Sequence, residues 1–268
     1  MAALNLTDDL RAEYKNLFDN CRINSNRIAV VDRIVTTAVA NQLRYESVGN
    51  GLGIPWYFIA AVHNMESSQN FSQHLHNGDP LTARTVHVPP GRPATGAPPF
   101  TWEQSATDAL TLEGLDGVTD WSLTGLLYRL EAYNGFGYRR RSLPTPYLWS
   151  FTNNYVKGKF VEDGKFDPDA VSDQAGAAAI LRRMVDKGII TIDDTAEEEP
   201  VPDAAAIAAL AADITFSNSE RSDAAKKLQL ALNRIPGISL KPDGIPGNKT
   251  SEAVKSVTGD FLRGDPRR

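Results

Sequence analysis

Cysteine is almost missing from these 268 residues: a single one, Cys21, excludes an intrachain disulfide and any multi-cysteine zinc site. Histidine is scarce as well, with four in all, so a His-rich metal centre would need nearly every one. No stretch approaches the ~18 consecutive apolar residues of a membrane span. The opening MAALNLTDDLRAEYKNLFDN has acids where a secretory leader has bases, and no apolar segment follows them, which predicts synthesis in a cytoplasm without a signal peptide. A strong charge imbalance is lacking too: 28 Lys and Arg stand against 33 Asp and Glu, a net −5, and no nucleic-acid partner is expected. Gly (20) and Pro (16) are at ordinary levels, which excludes collagen-like and wholly disordered chains. What is present, 41% hydrophobic and 23% charged residues, suits a globular chain with one medium domain and one small one.

Apolar spacing predicts a mainly helical fold. Helices are expected at Thr7–Phe18, capped by Thr7 and Asp8, and at Arg27–Tyr45, where Ile28, Val31, Val35, Ala38 and Val39 recur at helical intervals. Gly49, Gly51 and Gly53 then break the chain, and Pro55 opens a helix reaching Ser67. The texture changes from Phe71 to Phe100. His76-Asn77-Gly78-Asp79-Pro80 is a turn signal, and 82–88 alternates as a strand would, so a β-hairpin and an irregular Pro-rich loop are expected there. Helices resume at about Thr101–Leu110, Ser122–Tyr133 and Asp173–Lys187. The acidic, proline-closed 192–202 reads as a linker between a domain at 1–191 and another at 203–268, which opens with an Ala-rich helix. Residues 217–268 have ten Lys/Arg against six Asp/Glu, and the remainder 18 against 27. Two oppositely charged modules follow, and the basic one suits an anionic polymer.

Glu66 closes an apolar helix beside Met65, at the negative end of the helix dipole, with Phe71 just beyond. Partial burial and that dipole both favour the protonated carboxyl, which is what a general acid for glycosidic cleavage needs near neutral pH. By position alone a surface Glu in a last turn is the alternative. Glu66-Ser67-Ser68-Gln69-Asn70-Phe71 resembles the Glu-Ser-x-x-x-Phe element of goose-type lysozymes and soluble lytic transglycosylases, where that Glu is the catalytic acid. Glu131-Ala132-Tyr133-Asn134-Gly135 resembles the Ala-Tyr-Asn-x-Gly element of the same superfamily, whose Tyr and Asn contact sugar, although Gly135 follows Asn134 directly. The family's intermediate Gly-Leu-Met-Gln element is absent. The resemblance implies a lysozyme-like α+β domain with a small β-hairpin, Glu66 as acid, and Ser67, Thr82, Tyr133 and Asn134 near substrate.

Asp79, 13 residues after Glu66, and Thr85, six further on, are similar to the Asp and Thr of phage-type lysozymes and chitosanases. There the pair holds the water of an inverting attack, which needs carboxylates roughly 6.5–9.5 Å apart. Thr82 competes with Thr85 for the water, and Asp79 also serves as a turn former. A lytic transglycosylase needs Glu66 alone, because the substrate's own 6-hydroxyl attacks. His74 and His76, with His63, His87 and Asp79 near in sequence, leave a zinc-dependent cell-wall peptidase as a rival, though no His-Glu-x-x-His spacing accompanies them and no cofactor or metal is expected. Trp102, Trp121, Tyr138 and Arg139–Arg141 carry faces that a sugar groove or an ordinary core could use.

The tail holds Leu228-Gln229-Leu230-Ala231-Leu232-Asn233 and then Asp243-Gly244-Ile245-Pro246-Gly247-Asn248-Lys249-Thr250-Ser251-Glu252-Ala253-Val254. It resembles the three-helix peptidoglycan-binding domain, Leu-Gln-x-x-Leu-Asn followed by Asp-Gly-x-x-Gly-x-x-Thr-x-x-Ala-Val. Gly244 and Gly247 would permit a tight loop and Thr250 would cap the next helix. The combined expectation is a monomeric muramidase of the phage endolysin kind, acting on peptidoglycan at the bacterial wall. A lytic transglycosylase, a zinc peptidase, a non-catalytic wall-binding protein, and chitin or chitosan as the polymer are the alternatives.

Overall fold

The computed structural model describes residues 4–162, 164–194, 201–235 and 237–268. The chain divides into two compact units, Leu6–Glu197 and Glu198–Arg268, the second grouped with Met1–Asn5. Much of the expected linker at 192–202 lies outside the described residues.

The larger unit is built around α4 (Trp56–Ser67), whose Phe58, Ile59, Ala60, Ala61, Val62, His63 and Asn64 are all buried. A helix that is apolar on every side has to be enclosed by others. Around it pack α2 (Ile28–Ala40), α3 (Gln42–Leu52), α6 (Leu123–Asn134) and α8 (Ala177–Asp186). α1 (Asp8–Asp19) lies against α6, and α5 (Trp102–Leu112) against α3. Of the two expected caps, Thr7 acts as such, its Oγ1 accepting from Leu10 N, while Asp8 is the first residue of α1; Thr101 forms a reciprocal capping box with Gln104, and Ser122 Oγ accepts from Gly125 N.

Three expectations need correction. The helix over 27–45 is two helices, with Asn41 between α2 and α3. Gly49 and Gly51 do not break the chain but lie inside α3, which ends at Gly53 in the left-handed region (φ 70°). At Gly49 a Cβ would collide with the Ile54 carbonyl, so this glycine permits a close approach of the chain. No strand forms at 82–88; the nearest pairing is an isolated bridge before it, between Gln73 and Pro80.

The two-stranded sheet is elsewhere: β1 (Lys159–Glu162) pairs antiparallel with β2 (Lys165–Asp167), Phe160 opposite Phe166. A short helix, α7 (Pro146–Trp149), follows Thr145, whose hydroxyl accepts from Tyr147 N.

The smaller unit has three helices among its described residues, α9 (Ala204–Ala211), α10 (Asp223–Leu232) and α11 (Asn248–Thr258). They enclose Ile207, Leu228, Leu232, Val254 and Leu262. No helix among the described residues is long and apolar enough to cross a membrane.

Candidate active site

The last turn of α4 brings the one acidic side chain of that helix out of the core. Its end is fixed from two directions. Gln174 Nε2 donates to the carbonyl of Met65 (2.7 Å) and to that of Asn64 (3.2 Å), which also accepts from Ser68 N (3.1 Å). Beyond Ser67 the chain turns through two successive left-handed residues, Ser68 (φ 52°) and Gln69 (φ 59°), with Gln69 N bonded back to the His63 carbonyl.

Glu66 Oε1 accepts a 3.0 Å hydrogen bond from the Tyr147 hydroxyl. Protein surrounds the carboxyl, and this burial pushes its pKa up to about 7 against the weaker downward pull of Tyr147; the charge of Glu113 pushes the same way as burial. The phenols of Tyr147 and Tyr133 are themselves raised, by burial first and then by the charge of Glu66. A cavity of about 210 Å³ opens here, lined by Glu66, His76, Pro89, Ala109, Leu112, Glu113, Tyr133 and Asn134. Three of the sequence-predicted residues thus meet: Glu66 with Tyr133 and Asn134 from the end of α6. Ser67 adjoins them but is buried, its hydroxyl 3.4 Å from the His63 carbonyl.

Asp79 and Thr85 are placed differently. The 71–100 segment does run beside the helix end, since a Cβ on Gly78 would lie 3.5 Å from the Glu66 carbonyl oxygen. Asp79, however, spends its carboxylate on the loop itself. Oδ2 accepts from Val86 N (2.8 Å) and His87 N (3.0 Å), and Oδ1 pairs with His87 Nδ1 (2.6 Å). These bonds, the His87 side chain first, hold its pKa down to about 2. Thr85 is buried, its hydroxyl donating to the Pro89 carbonyl and accepting from Arg92 N (2.9 Å). Neither lines the cavity, and Thr82 is exposed in a turn. Such side-chain-to-backbone bonds explain the missing hairpin, because they occupy the groups that a strand ladder would use.

The histidines are likewise engaged. His63 Nε2 accepts from Trp102 Nε1 (3.0 Å) and its Nδ1 faces the Tyr45 hydroxyl (3.0 Å); burial lowers its pKa to about 4. His74 bridges Ser105 Oγ and the Ala83 carbonyl, both at 2.8 Å. His76 pairs with Asp108 (2.8 Å), which also holds Arg92 through two 2.8 Å bonds. Among the described residues no group of three His, Cys, Asp or Glu is placed to hold a metal ion, so the zinc reading lacks a donor set there.

Of the aromatic and basic candidates, Trp102 and Tyr138 are buried, Arg139 pairs with buried Glu131 (2.7 Å), which also accepts from Tyr14 (2.6 Å), and Arg140 and Arg141 are exposed.

Sequence reasoning missed Tyr147 and Glu113. Tyr147 carried a local signal, since Thr145-Pro146 is a helix start with Pro at the first position. Glu113, just past the end of α5, carried none beyond its place at a helix end.

In the smaller unit the motif residues form a network. The Gln229 amide donates to Asp243 Oδ1 (3.2 Å), the Ile245 carbonyl (3.0 Å) and Thr250 Oγ1 (3.0 Å), and accepts from Gly244 N (2.8 Å). Asn233 pairs with Leu240 through N–H (2.6 Å) and carbonyl (2.8 Å). Thr250 is therefore a loop partner and not the cap expected of it; Gly247 holds the cap position of α11. A shallow groove of about 300 Å³ runs over this loop, past Asn218, Lys241, Asp243 and Lys249.

Comparison with known family models, with curated proteins and with solved structures returns no match for this chain.

Proposed function

We propose that the chain cleaves the glycan strand of bacterial peptidoglycan, with Glu66 as the general acid that protonates the glycosidic oxygen. The observation that carries this reading is the Glu66 carboxyl itself. It is enclosed at a helix end, holds its proton to about pH 7, and faces an open cleft with Tyr133 and Asn134 beside it. Tyr147 fixes the carboxyl's direction. The smaller unit would bind the same polymer, a reading supported by the tail motif. Tethering would raise the local substrate concentration at the cleft.

In the hydrolytic form read from the sequence, Asp79 takes a proton from water and Thr85 or Thr82 positions that water. Asp79 already accepts from three loop donors, and a carboxylate with a pKa near 2 is a weak base. That observation favours a second reading, a lytic transglycosylase in which the 6-hydroxyl of the substrate attacks and Glu66 works alone.

The test is mass spectrometry of soluble products from purified peptidoglycan, with the wild type beside Glu66→Gln. Glu66→Gln is expected to lower product release by at least about 100-fold. Hydrated reducing ends identify hydrolysis and anhydro ends the transglycosylase. Undiminished release by the variant would remove Glu66 from the chemistry, and release of amines abolished by chelator would indicate a peptidase.

A further inference from the structure

We infer that Glu113 is the second catalytic carboxylate of the cleft, the general base that takes a proton from the attacking water while Glu66 protonates the leaving oxygen. The inference rests on the glycan-cleaving reading of the site and names the group that makes it a hydrolase.

Glu113 directly follows α5, as Glu66 closes α4, so two helix ends each bring a carboxylate to one cavity, together with Tyr133 and Asn134. Their surroundings differ. Glu66 is enclosed and bonded to Tyr147, whereas Glu113 is exposed at the cleft wall, where water hydrates a negative charge. Two carboxylates in one cleft with unlike environments divide the acid and base roles between them. Their coupling strengthens the division, because the charge on Glu113 favours the protonated form of Glu66. Asp79 is outside the cavity lining and committed to three donors in its own loop.

The step balances. The water oxygen bonds to the anomeric carbon as one of its protons passes to the Glu113 carboxylate. The glycosidic C–O bond breaks, and its electron pair leaves with the oxygen, which takes the Glu66 proton. Glu66 ends ionised and Glu113 protonated, and exchange with solvent restores both.

The experiment uses the full chain on insoluble peptidoglycan, following reducing-end release against pH and product masses, for wild type, Glu66→Gln, Asp79→Asn, Glu113→Gln and Glu113→Asp. Thermal melting reports folding, which an exposed Glu113 leaves intact. Expected are hydrated products from the wild type and a loss of about 10²–10⁴-fold in Glu113→Gln. The residual rate should lack the acidic limb of the pH profile and keep an alkaline limb, moved below its wild-type position because the Glu113 charge that favours protonated Glu66 is gone, and Glu113→Asp should recover part of the rate. A wild-type rate with an unmoved acidic limb in Glu113→Gln, anhydro products from the wild type, or an acidic limb abolished only by Asp79→Asn would each overturn the assignment to Glu113. Activity surviving in Glu66→Gln, or no release by the wild type, would instead overturn the reading of the cleft on which the inference rests.

Discussion

Glu66 keeps its proton because burial outweighs the hydrogen bond that Tyr147 donates to it. A donated bond favours the ionised form, so removing it moves the carboxyl pKa upward. On the proposed reading, Tyr147→Phe is therefore expected to shift the alkaline limb of the rate profile above that of the wild type and to lower the maximal rate through looser positioning. Rates measured between about pH 5 and 9 check this, and a limb that moves down would contradict it. Glu66 was legible in the sequence because a helix end, an apolar run and a short motif all coincide within six residues. Tyr147 and Glu113 were not, since each meets Glu66 only through the fold, Tyr147 from 81 residues away. Asp79 shows the converse: its spacing suits a water-activating carboxylate, yet its oxygens go to Val86, His87 and the His87 ring.

At the scale of elements, helices announced their ends through Thr7, Thr101 and Ser122, whose hydroxyls satisfy backbone groups that every helix leaves open. Strand signals were less reliable. The alternation at 82–88 belongs to a loop whose Val86 and Val88 are 75% and 83% exposed, and no second strand covers them. The real hairpin lies where Phe160 and Phe166 flank an Asp-Gly dipeptide, a turn signal that the longer Pro-rich segment overshadowed. In the smaller unit the Leu-Gln motif has a mechanical meaning, for the Gln229 amide ties α10 to the loop before α11. Gln229→Ala leaves a buried carbonyl and amide short of partners, a cost of about 2 kcal/mol. The variant is expected to show a lowered melting transition and weaker co-sedimentation with peptidoglycan, while cleavage of soluble glycan fragments stays at the wild-type rate. A variant that sediments and melts like the wild type would contradict this.

For the whole molecule, the proposed division of binding and cleavage between the two compact units predicts two separable sensitivities. Residues 217–268 have ten basic against six acidic side chains, so attraction to an anionic wall polymer is screened by salt, whereas chemistry inside the cleft of the other unit is not. Raising the ionic strength from about 0.05 to 0.5 M should weaken sedimentation with insoluble peptidoglycan and leave the turnover of soluble fragments unchanged. Equal salt dependence in both assays would contradict the division. The Pro-closed acidic run at 192–202 is read as a boundary from composition alone, because linkers are a matter of residue type and not of contact, and much of it lies outside the described residues. The bonds that finish the α4 terminus have a consequence in time. Glu66 acquires its hydroxyl partner from residue 147, and the carbonyl beside it is capped from residue 174. A ribosome therefore carries this chain past three-fifths of its length before the acid has its full setting. On the proposed reading, chains that stop before residue 174 lack a bond that finishes the helix end and would be poor at cleavage, so the producing cell meets a competent cleft only after that point in synthesis.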